Sequence, residues 1–195
     1  MANPDELATR LRRAPTTPPG FVQAGATLTA EPFLGIGKIQ FLAGTTAAFF
    51  EAIFGESAPA AGQGLSLGEI TVSWLAPDEW LLTGPEGVVL AALQRADKAG
   101  DSGLTTDLSD ARASFQLSGQ GARDRLAAHT PLDISDAAVA VGSVARAPLG
   151  DTGMFLARLP DTAGQPAFRI IVDQTMAAYA VRMLAGPATT SGATA

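Results

Sequence analysis

Few side chains of this sequence could carry out covalent, redox or metal chemistry. Cysteine is absent and His129 is the only histidine. A disulfide and a thiol nucleophile are therefore excluded, and a closed zinc site of the usual Cys and His type cannot be built from one such ligand. A His-dependent triad would rest on His129 alone. That residue falls at the end of a predicted helix, where a protonated imidazole interacts favourably with the helix dipole, so a structural role is favoured for it.

Two glycine pairs resemble fragments of phosphate-binding loops. A P-loop at Gly35-Ile36-Gly37-Lys38 would need glycine in place of Pro32, and Ser or Thr in place of Ile39. A dinucleotide fingerprint at Gly119-Gln120-Gly121 would need its third glycine in place of Asp124. The first pair is therefore interpreted as part of a strand. The second is interpreted as a tight strand-to-helix turn, although a helix start could still take an anion.

Carboxylates are densest at Asp107 and Asp110, with a serine between them and Arg112 just after. A pair of carboxylates can act as acid and base if one of them is buried. Aspartate and serine at this spacing equally bond their own backbone in turns. The turn interpretation is favoured here, and also for the similar pair Asp133 and Asp136.

Trp74 and Trp80 bracket a predicted hairpin turn, and core packing is favoured for both over a platform for a ligand. With none of these patterns complete, the sequence assigns no catalytic, cofactor-binding or metal-binding residue to this chain. The motifs favour a protein that binds something over one that transforms it.

Composition narrows the class of protein further. The 195 residues include 13 Lys and Arg against 19 Asp and Glu, a formal net charge of −6. Such a balance argues against nucleic acid, whose phosphates need a basic face. The longest apolar runs are far short of the ~18 residues of a membrane span. Only 16% of residues are charged, against about 25% in a typical domain, so we expect a cytoplasmic protein with apolar surface reserved for partner chains.

The order of short hairpins and single helices predicts an α+β fold of antiparallel sheets with packed helices, rather than a doubly wound parallel sheet. Strands are predicted over 36–42, 70–74, 80–82, 104–108, 113–118, 139–146, 153–159 and 168–172. Helices are predicted over 5–13, 45–54, 85–99, 119–130 and 174–184. A loop is predicted over 57–64.

Three predicted core faces follow from periodicity. The strand faces are Ile70, Val72 and Trp74 in the first hairpin and Phe168, Ile170 and Val172 in the last strand. The inward face of the last helix is Met176, Ala180 and Met183. Asp173 is predicted to cap that helix.

One segment resembles a known family. Trp74-Leu75-Ala76-Pro77-Asp78-Glu79-Trp80-Leu81-Leu82 is similar to the Trp-Leu-x-Pro-Asp-Glu-Trp-Leu-Leu signature of the gamma subunit of heterotetrameric sarcosine oxidase. The resemblance continues in order over about residues 34–184, through segments 34–39, 107–112, 117–123 and 131–134. The chain departs from the family pattern at Thr130, where cysteine is common, and over 173–178, before Tyr179. A related N-methyl amino acid or betaine demethylase would use a similar small subunit.

The resemblance implies a fold like the tetrahydrofolate-binding domain of the aminomethyltransferase (T-protein) of glycine cleavage. It also implies a non-catalytic structural gamma subunit, with sarcosine demethylated to glycine on larger flavin-bearing subunits. Alpha, beta and delta subunits are the implied partners, and they would carry FAD, FMN, NAD, tetrahydrofolate and zinc. The alternative is a free-standing folate-binding or aminomethyltransferase-like protein. Residues 1–20 are expected to be an N-terminal arm, 21–185 a single folate-binding-like domain and 186–195 a disordered tail.

Overall fold

A computed structural model describes residues 18, 20–42, 46–99 and 103–186 of the chain. The predicted helix over 5–13 lies outside the described residues, as do most of the predicted N-terminal arm and all of the predicted tail after Gly186. Thr45 and the side chain of Thr46, candidates to cap the first globular helix, also lie outside them.

The described residues form eleven strands and four α-helices. The strands are β1 (Phe21–Gln23), β2 (Ala26–Ala30), β3 (Leu34–Phe41), β4 (Gly64–Leu67), β5 (Ile70–Ala76), β6 (Glu79–Pro85), β7 (Gly103–Asp107), β8 (Arg112–Ser118), β9 (Val144–Leu149), β10 (Thr152–Thr162) and β11 (Gln165–Asp173). The helices are α1 (Thr46–Phe54), α2 (Glu86–Lys98), α3 (Ala122–Ala127) and α4 (Ala177–Ala185), the last preceded by a 3-10 turn, Gln174–Met176.

The strands form two antiparallel sheets. The six-stranded sheet has the order β1-β2-β8-β11-β10-β9, and the five-stranded sheet has the order β4-β5-β6-β3-β7. Neighbouring strands run antiparallel throughout. The predicted α+β class is confirmed, because antiparallel hairpins rather than parallel crossovers build both sheets. None of the helices in the described part of the chain is long and apolar enough to cross a membrane.

Helices α3 and α4 cover one face of the six-stranded sheet. The predicted strand face of Phe168, Ile170 and Val172 is buried there, which confirms the alternation in β11. The helix face is different from the prediction, since Ala177, Ala180 and Leu184 are buried while the two methionines are half-buried. The 3-10 turn that precedes α4 has fewer residues per turn than an α-helix, so it shifts the phase of the buried positions.

Helices α1 and α2 cover one face of the five-stranded sheet. Trp80 lies in this core, with its ring centroid 5.5 Å from those of Phe41 and Phe50. Helix α2 approaches β3 closely where the strand has glycines. A Cβ on Gly35 would lie 2.6 Å from the Cα of Glu86, so a side chain there would force the helix away. Gly35 and Gly37 are thus strand residues, as predicted.

The two tryptophans of the hairpin have different environments, and the prediction was wrong for Trp74. Trp74 is only half-buried, and it packs against a different cluster from Ile70 and Val72. The ladder between β5 and β6 shifts register between Trp74 and Ala76. Such a bulge bends a strand and redirects its side chains, which sequence alternation cannot anticipate.

Two other element predictions need correction. The strand predicted over 139–146 corresponds to β9, which begins five residues later, at Val144. The residues before it form turns. Val139 is buried there without being part of a strand, which is why its apolar character was misleading. The predicted loop over 57–64 runs into a short strand, β4, that the sequence did not reveal. Its Gly and Ser content is low in strand propensity, and pairing with β5 overrides it.

Candidate functional site

The two sheets meet over a small apolar cluster. The cluster consists of buried side chains from both sheets: Ile36, Leu81, Val144, Phe155 and Ile171. Beside it lies a cleft of about 700 Å³, and residues from both sheets line it. Clefts of this size are typical of binding sites, so this inter-sheet cleft is the candidate site.

The five-stranded sheet supplies one wall of the inter-sheet cleft. Alternation along β3 places Lys38 on the same face as the buried Ile36. The Lys38 Nζ lies 3.5 Å from a carboxylate oxygen of Glu79 on β6 and donates a hydrogen bond of 3.2 Å to Gln40 Oε1. Lys38, proposed and rejected as a P-loop lysine, is therefore a cation of this wall.

The six-stranded sheet supplies the other wall. Arg112 at the start of β8 lies opposite Asp173 at the end of β11, and the Arg112 Nη1 donates a 2.7 Å hydrogen bond to an Asp173 carboxylate oxygen. Arg146 on β9 lies opposite Phe155 on β10. The Arg146 side chain is exposed, and within the described residues it makes neither a hydrogen bond nor an ion pair.

The charges of the cleft suit an anionic group. Its lining holds three cations, Lys38, Arg112 and Arg146, against two carboxylates, Glu79 and Asp173. The cleft is therefore locally positive in a chain whose net charge is −6. Guanidinium groups bind carboxylates and phosphates through paired N–H donors, so Arg146 is the group best placed to hold such a ligand.

Asp173 has two roles at the edge of the cleft. Its side chain accepts hydrogen bonds from the hydroxyl of Thr175, at 2.7 Å, and from the Thr175 backbone N–H, at 3.0 Å. These bonds, with Arg112 as a further cause, hold the pKa of the Asp173 carboxyl below its usual range. The predicted cap is confirmed, although the element it begins is the 3-10 turn ahead of α4.

The carboxylates around Ser109 form a turn, as predicted. The Asp107 carboxylate accepts hydrogen bonds from the Ser109 backbone N–H, at 3.0 Å, and from its hydroxyl, at 2.7 Å. The same hydroxyl oxygen accepts a bond from the Ile36 N–H, which ties the turn to β3. Asp107 and Asp110 share this turn, while Arg112 extends away from it to Asp173 and the cleft.

Asp133 and Asp136 have different partners and do not form a carboxylate pair with each other. Asp133 accepts a 2.9 Å hydrogen bond from the Ser135 backbone N–H, and bonding to Ser135 lowers the pKa of the Asp133 carboxyl. Asp136 forms an ion pair with Arg123, which also donates to the carbonyl of Ile134. Asp133 thus has the predicted turn bond, Asp136 is held by an ion pair instead, and neither acid lines the cleft.

His129 and the second glycine pair have structural contacts. His129 lies after α3, and its backbone carbonyl accepts a 2.8 Å bond from the Gly150 N–H. Gly119 has a φ of +112°, and a Cβ there would lie 2.3 Å from the carbonyl oxygen of Gly25. A Cβ on Gly121 would lie 2.5 Å from the carbonyl oxygen of Ala24. The tight strand-to-helix turn predicted here is confirmed, because the turn packs directly on the β1–β2 hairpin.

A polar link joins the sheets on the other side of the apolar cluster. Arg169 on β11 makes two hydrogen bonds of 2.8 Å to the carboxylate of Glu31 and reaches the Thr83 hydroxyl of β6 at 3.4 Å. The Ser114 hydroxyl donates a 2.7 Å bond to the same carboxylate. This network fixes how the two sheets meet and hence the shape of the cleft.

Sequence reasoning missed the cleft as a unit. Arg146 and Gly153 lie on the two strands of one hairpin, whereas Glu79 lies far from them in sequence and in the other sheet, and no motif links it to them. The available signals were weak. One was the cation Lys38 on a strand with alternating polarity, and the other was Gly153 at a predicted strand position.

Comparison with known proteins agrees with the resemblance found in the sequence. The sequence model of the sarcosine oxidase gamma subunit family matches residues 42–188. A chain of heterotetrameric sarcosine oxidase from Corynebacterium sp. U-96, solved in complex with pyrrole 2-carboxylate, is 25% identical, with a TM-score of 0.76. The match covers 90% of this chain and 93% of that one. Comparison with curated protein sequences gives no match.

A second solved structure shares the fold. Aminomethyltransferase T of the glycine cleavage system from Bartonella henselae is 17% identical, with a TM-score of 0.65. The match covers 85% of this chain but 46% of that one, so this chain spans about half of that protein. The expected likeness to the aminomethyltransferase fold is confirmed.

Proposed function

Because the chain belongs to the sarcosine oxidase gamma subunit family, we propose that it assembles with alpha, beta and delta subunits into a heterotetrameric sarcosine oxidase-type complex. The single observation that carries this proposal is the likeness to a chain of a heterotetrameric sarcosine oxidase over almost the full length of both chains. The low fraction of charged residues also supports a chain that buries surface against partners.

The proposed role of this chain is structural rather than catalytic. Sarcosine would be demethylated to glycine on the larger subunits, which would carry FAD, FMN, NAD and tetrahydrofolate. The side chains that the sequence offers for acid–base work support this division, because Asp107, Asp133 and Asp173 are engaged in turn and capping bonds. The bonds at Asp133 and Asp173 lower the pKa of those two carboxyls, whereas a general acid needs a raised pKa.

Zinc is proposed to be bound by the delta subunit. Among the described residues of this chain, no three or more His, Cys, Asp or Glu side chains come together as a ligand set. These described residues therefore do not fit a zinc site.

Expression of this chain alone and with its partner subunits tests the proposal. The chain purified alone is expected to show no flavin absorbance and no sarcosine oxidation, and the co-expressed complex is expected to show both. Gel filtration is expected to show co-elution of the chain with the larger subunits. Flavin absorbance in the singly expressed chain, or a monomer that ignores the larger subunits, would contradict the proposal.

A second candidate function is a free-standing folate-binding module. The observation that favours it is the inter-sheet cleft, whose cations could pair with the carboxylates of folate. Titration of tetrahydrofolate into the isolated chain tests it by calorimetry and by the fluorescence of Trp74, whose neighbour Leu75 lines the cleft. Tight binding to the isolated chain would favour this candidate.

A further inference from the structure

Gly153 leaves room in the inter-sheet cleft that no described residue of this chain fills. It lies within β10, where pairing with β9 is regular, and it shares a strand face with Phe155 of the inter-sheet cluster. A Cβ built on Gly153 would meet nothing within 4 Å. Glycine inside a regular strand weakens it and often marks close approach of a ligand or another chain. No contact within the described chain explains this glycine.

An unpaired cation lies on the neighbouring strand. Arg146 lies beside Gly153 in the lining of the cleft, and no described residue pairs with it. The other two cations of the cleft each have a carboxylate partner, Glu79 for Lys38 and Asp173 for Arg112. The excess positive charge of the cleft therefore resides on Arg146.

An exposed leucine lies beyond the cleft on the same face of the five-stranded sheet. Lys38 and Gln40 lie on the cleft face of β3, and Gln40 is directly opposite Leu104 on the edge strand β7. Leu104 therefore shares that face, where its side chain is 62% exposed. A small molecule held in the cleft would leave this leucine in water, whereas a protein segment crossing the face would cover it.

From this arrangement we infer that the inter-sheet cleft is the docking site for a segment of a partner subunit. The segment would present an Asp or Glu carboxylate to Arg146 and an apolar side chain to the space beside Gly153. It would continue over Leu104. Charge complementarity identifies the partner residue as acidic, because the cleft is positive on a chain that is acidic overall. The inference rests on the proposed function, since it names the surface by which this subunit joins the complex.

Competition for assembly tests this docking site. A cleft variant and tagged wild-type chain are co-expressed in equal amounts with limiting partner subunits, and the share of each in the purified complex is measured. Arg146→Glu places like charges together, and Gly153→Trp fills the space beside the cation. Each variant is expected to lose its share by about tenfold or more, because Arg146→Glu opposes like charges and Gly153→Trp occupies the place of the partner segment.

Two matched controls separate docking from folding. Arg182→Glu makes the same charge change at an exposed arginine of α4, and Gly87→Trp adds the same side chain at an exposed glycine of α2 with open space around it. Neither residue lines the cleft. Both controls are expected to compete as wild type does, and all four variants are expected to melt within a few degrees of wild type.

The possible outcomes distinguish this inference from the proposed function. If wild-type chain joins the complex and both cleft variants compete normally, the docking site is wrong and the subunit role stands. If wild-type chain fails to join the larger subunits, the subunit role fails, and the docking site fails with it. If the cleft variants assemble normally but lose tetrahydrofolate binding, the cleft is a small-molecule site and the inference is overturned.

Discussion

The two kinds of sheet face in this protein are built differently. The faces covered by helices are largely apolar, with fully buried residues such as Phe115 under α3 and α4 and Phe50 in α1. Their buried charged group, Arg158, lies over the ring of Phe168. The faces where the sheets meet have the small apolar cluster, the cleft and a polar link. That link includes buried Ser114 and Thr83 and the ion pair of Arg169 with Glu31.

This difference separates stability from recognition. The helix-covered cores are close-packed, so a loss of side-chain volume there lowers the free energy of unfolding. The inter-sheet region retains charged groups and open space, and those are the features from which a partner can be recognised.

The tryptophans give the sharpest comparison. Trp80 is 3% exposed in a helix-covered core, whereas Trp74 is half-buried beside the inter-sheet cluster. Trp80→Ala is expected to reduce the free energy of unfolding by about 3–5 kcal/mol because it leaves a cavity. Trp74→Ala is expected to cost about 1–2 kcal/mol because less apolar area is lost. Urea denaturation of both variants measures this, and equal losses would contradict the contrast between the regions.

The same substitution at two strand glycines is expected to have different effects in the two regions. Gly35→Ala places a Cβ 2.6 Å from the backbone of Glu86 on the helix-covered side. A loss of about 1–3 kcal/mol in the free energy of unfolding is expected, as for other overpacked cores. Gly153→Ala enters the open cleft and is expected to be neutral or slightly stabilising, because glycine is the costlier residue in a strand. Thermal melting distinguishes them, and a destabilised Gly153→Ala would show that the cleft is not open.

The ion pair between the sheets, Arg169 with Glu31, is expected to contribute more to the free energy of unfolding than the pair of Arg112 with Asp173 at the rim of the cleft. Arg169→Ala leaves the largely buried Glu31 carboxylate without its main partner, so a loss of about 1–3 kcal/mol is expected. Arg112→Ala breaks a pair that is 36% and 48% exposed, and a loss under about 1 kcal/mol is expected. Chemical denaturation of the two variants at one ionic strength tests this order. A larger loss for Arg112→Ala would reverse it.

The smallest predicted effect depends on pH. Because the pKa of Asp173 is lowered in the folded chain, its carboxylate stabilises the fold above the pKa of the unfolded state. That contribution is lost as the pH falls below about 4 and through the folded pKa. Asp173→Asn keeps an acceptor for the cap but does not titrate, so wild type is expected to be more stable at neutral pH by under about 1 kcal/mol. Melting curves at several pH values should show the gap closing in acid, and a gap that widens would contradict the assignment.

Local sequence features predicted much of the fold. The alternation in β8 and β11, the turn before Trp80 and the start of α2 after Pro85 follow from rules that act over a few residues. The predictions that failed required information from outside the segment. The bulge after Trp74 depends on how β6 pairs with β5, and the phase of α4 depends on the 3-10 turn before it.

The family of this chain was accessible from its sequence, because the segment around Trp74 and Trp80 is specific and the neighbouring segments keep their order. The turn roles of Asp107 and Asp133 were accessible too, since Asp and Ser bond their own backbone at short range. These properties are local, so the order of residues along the chain is enough to determine them.

The inter-sheet cleft was decided by the tertiary structure alone. Lys38, Arg112 and Arg146 are far apart in sequence, and they share a cleft because two separate sheets meet over one apolar cluster. Whether a cation has a partner depends on what lies across that space, and here Arg112 has Asp173 while Arg146 has no partner among the described residues. A charge pattern along one strand determines the face that a side chain occupies, but only the packing of the second sheet determines what that face meets.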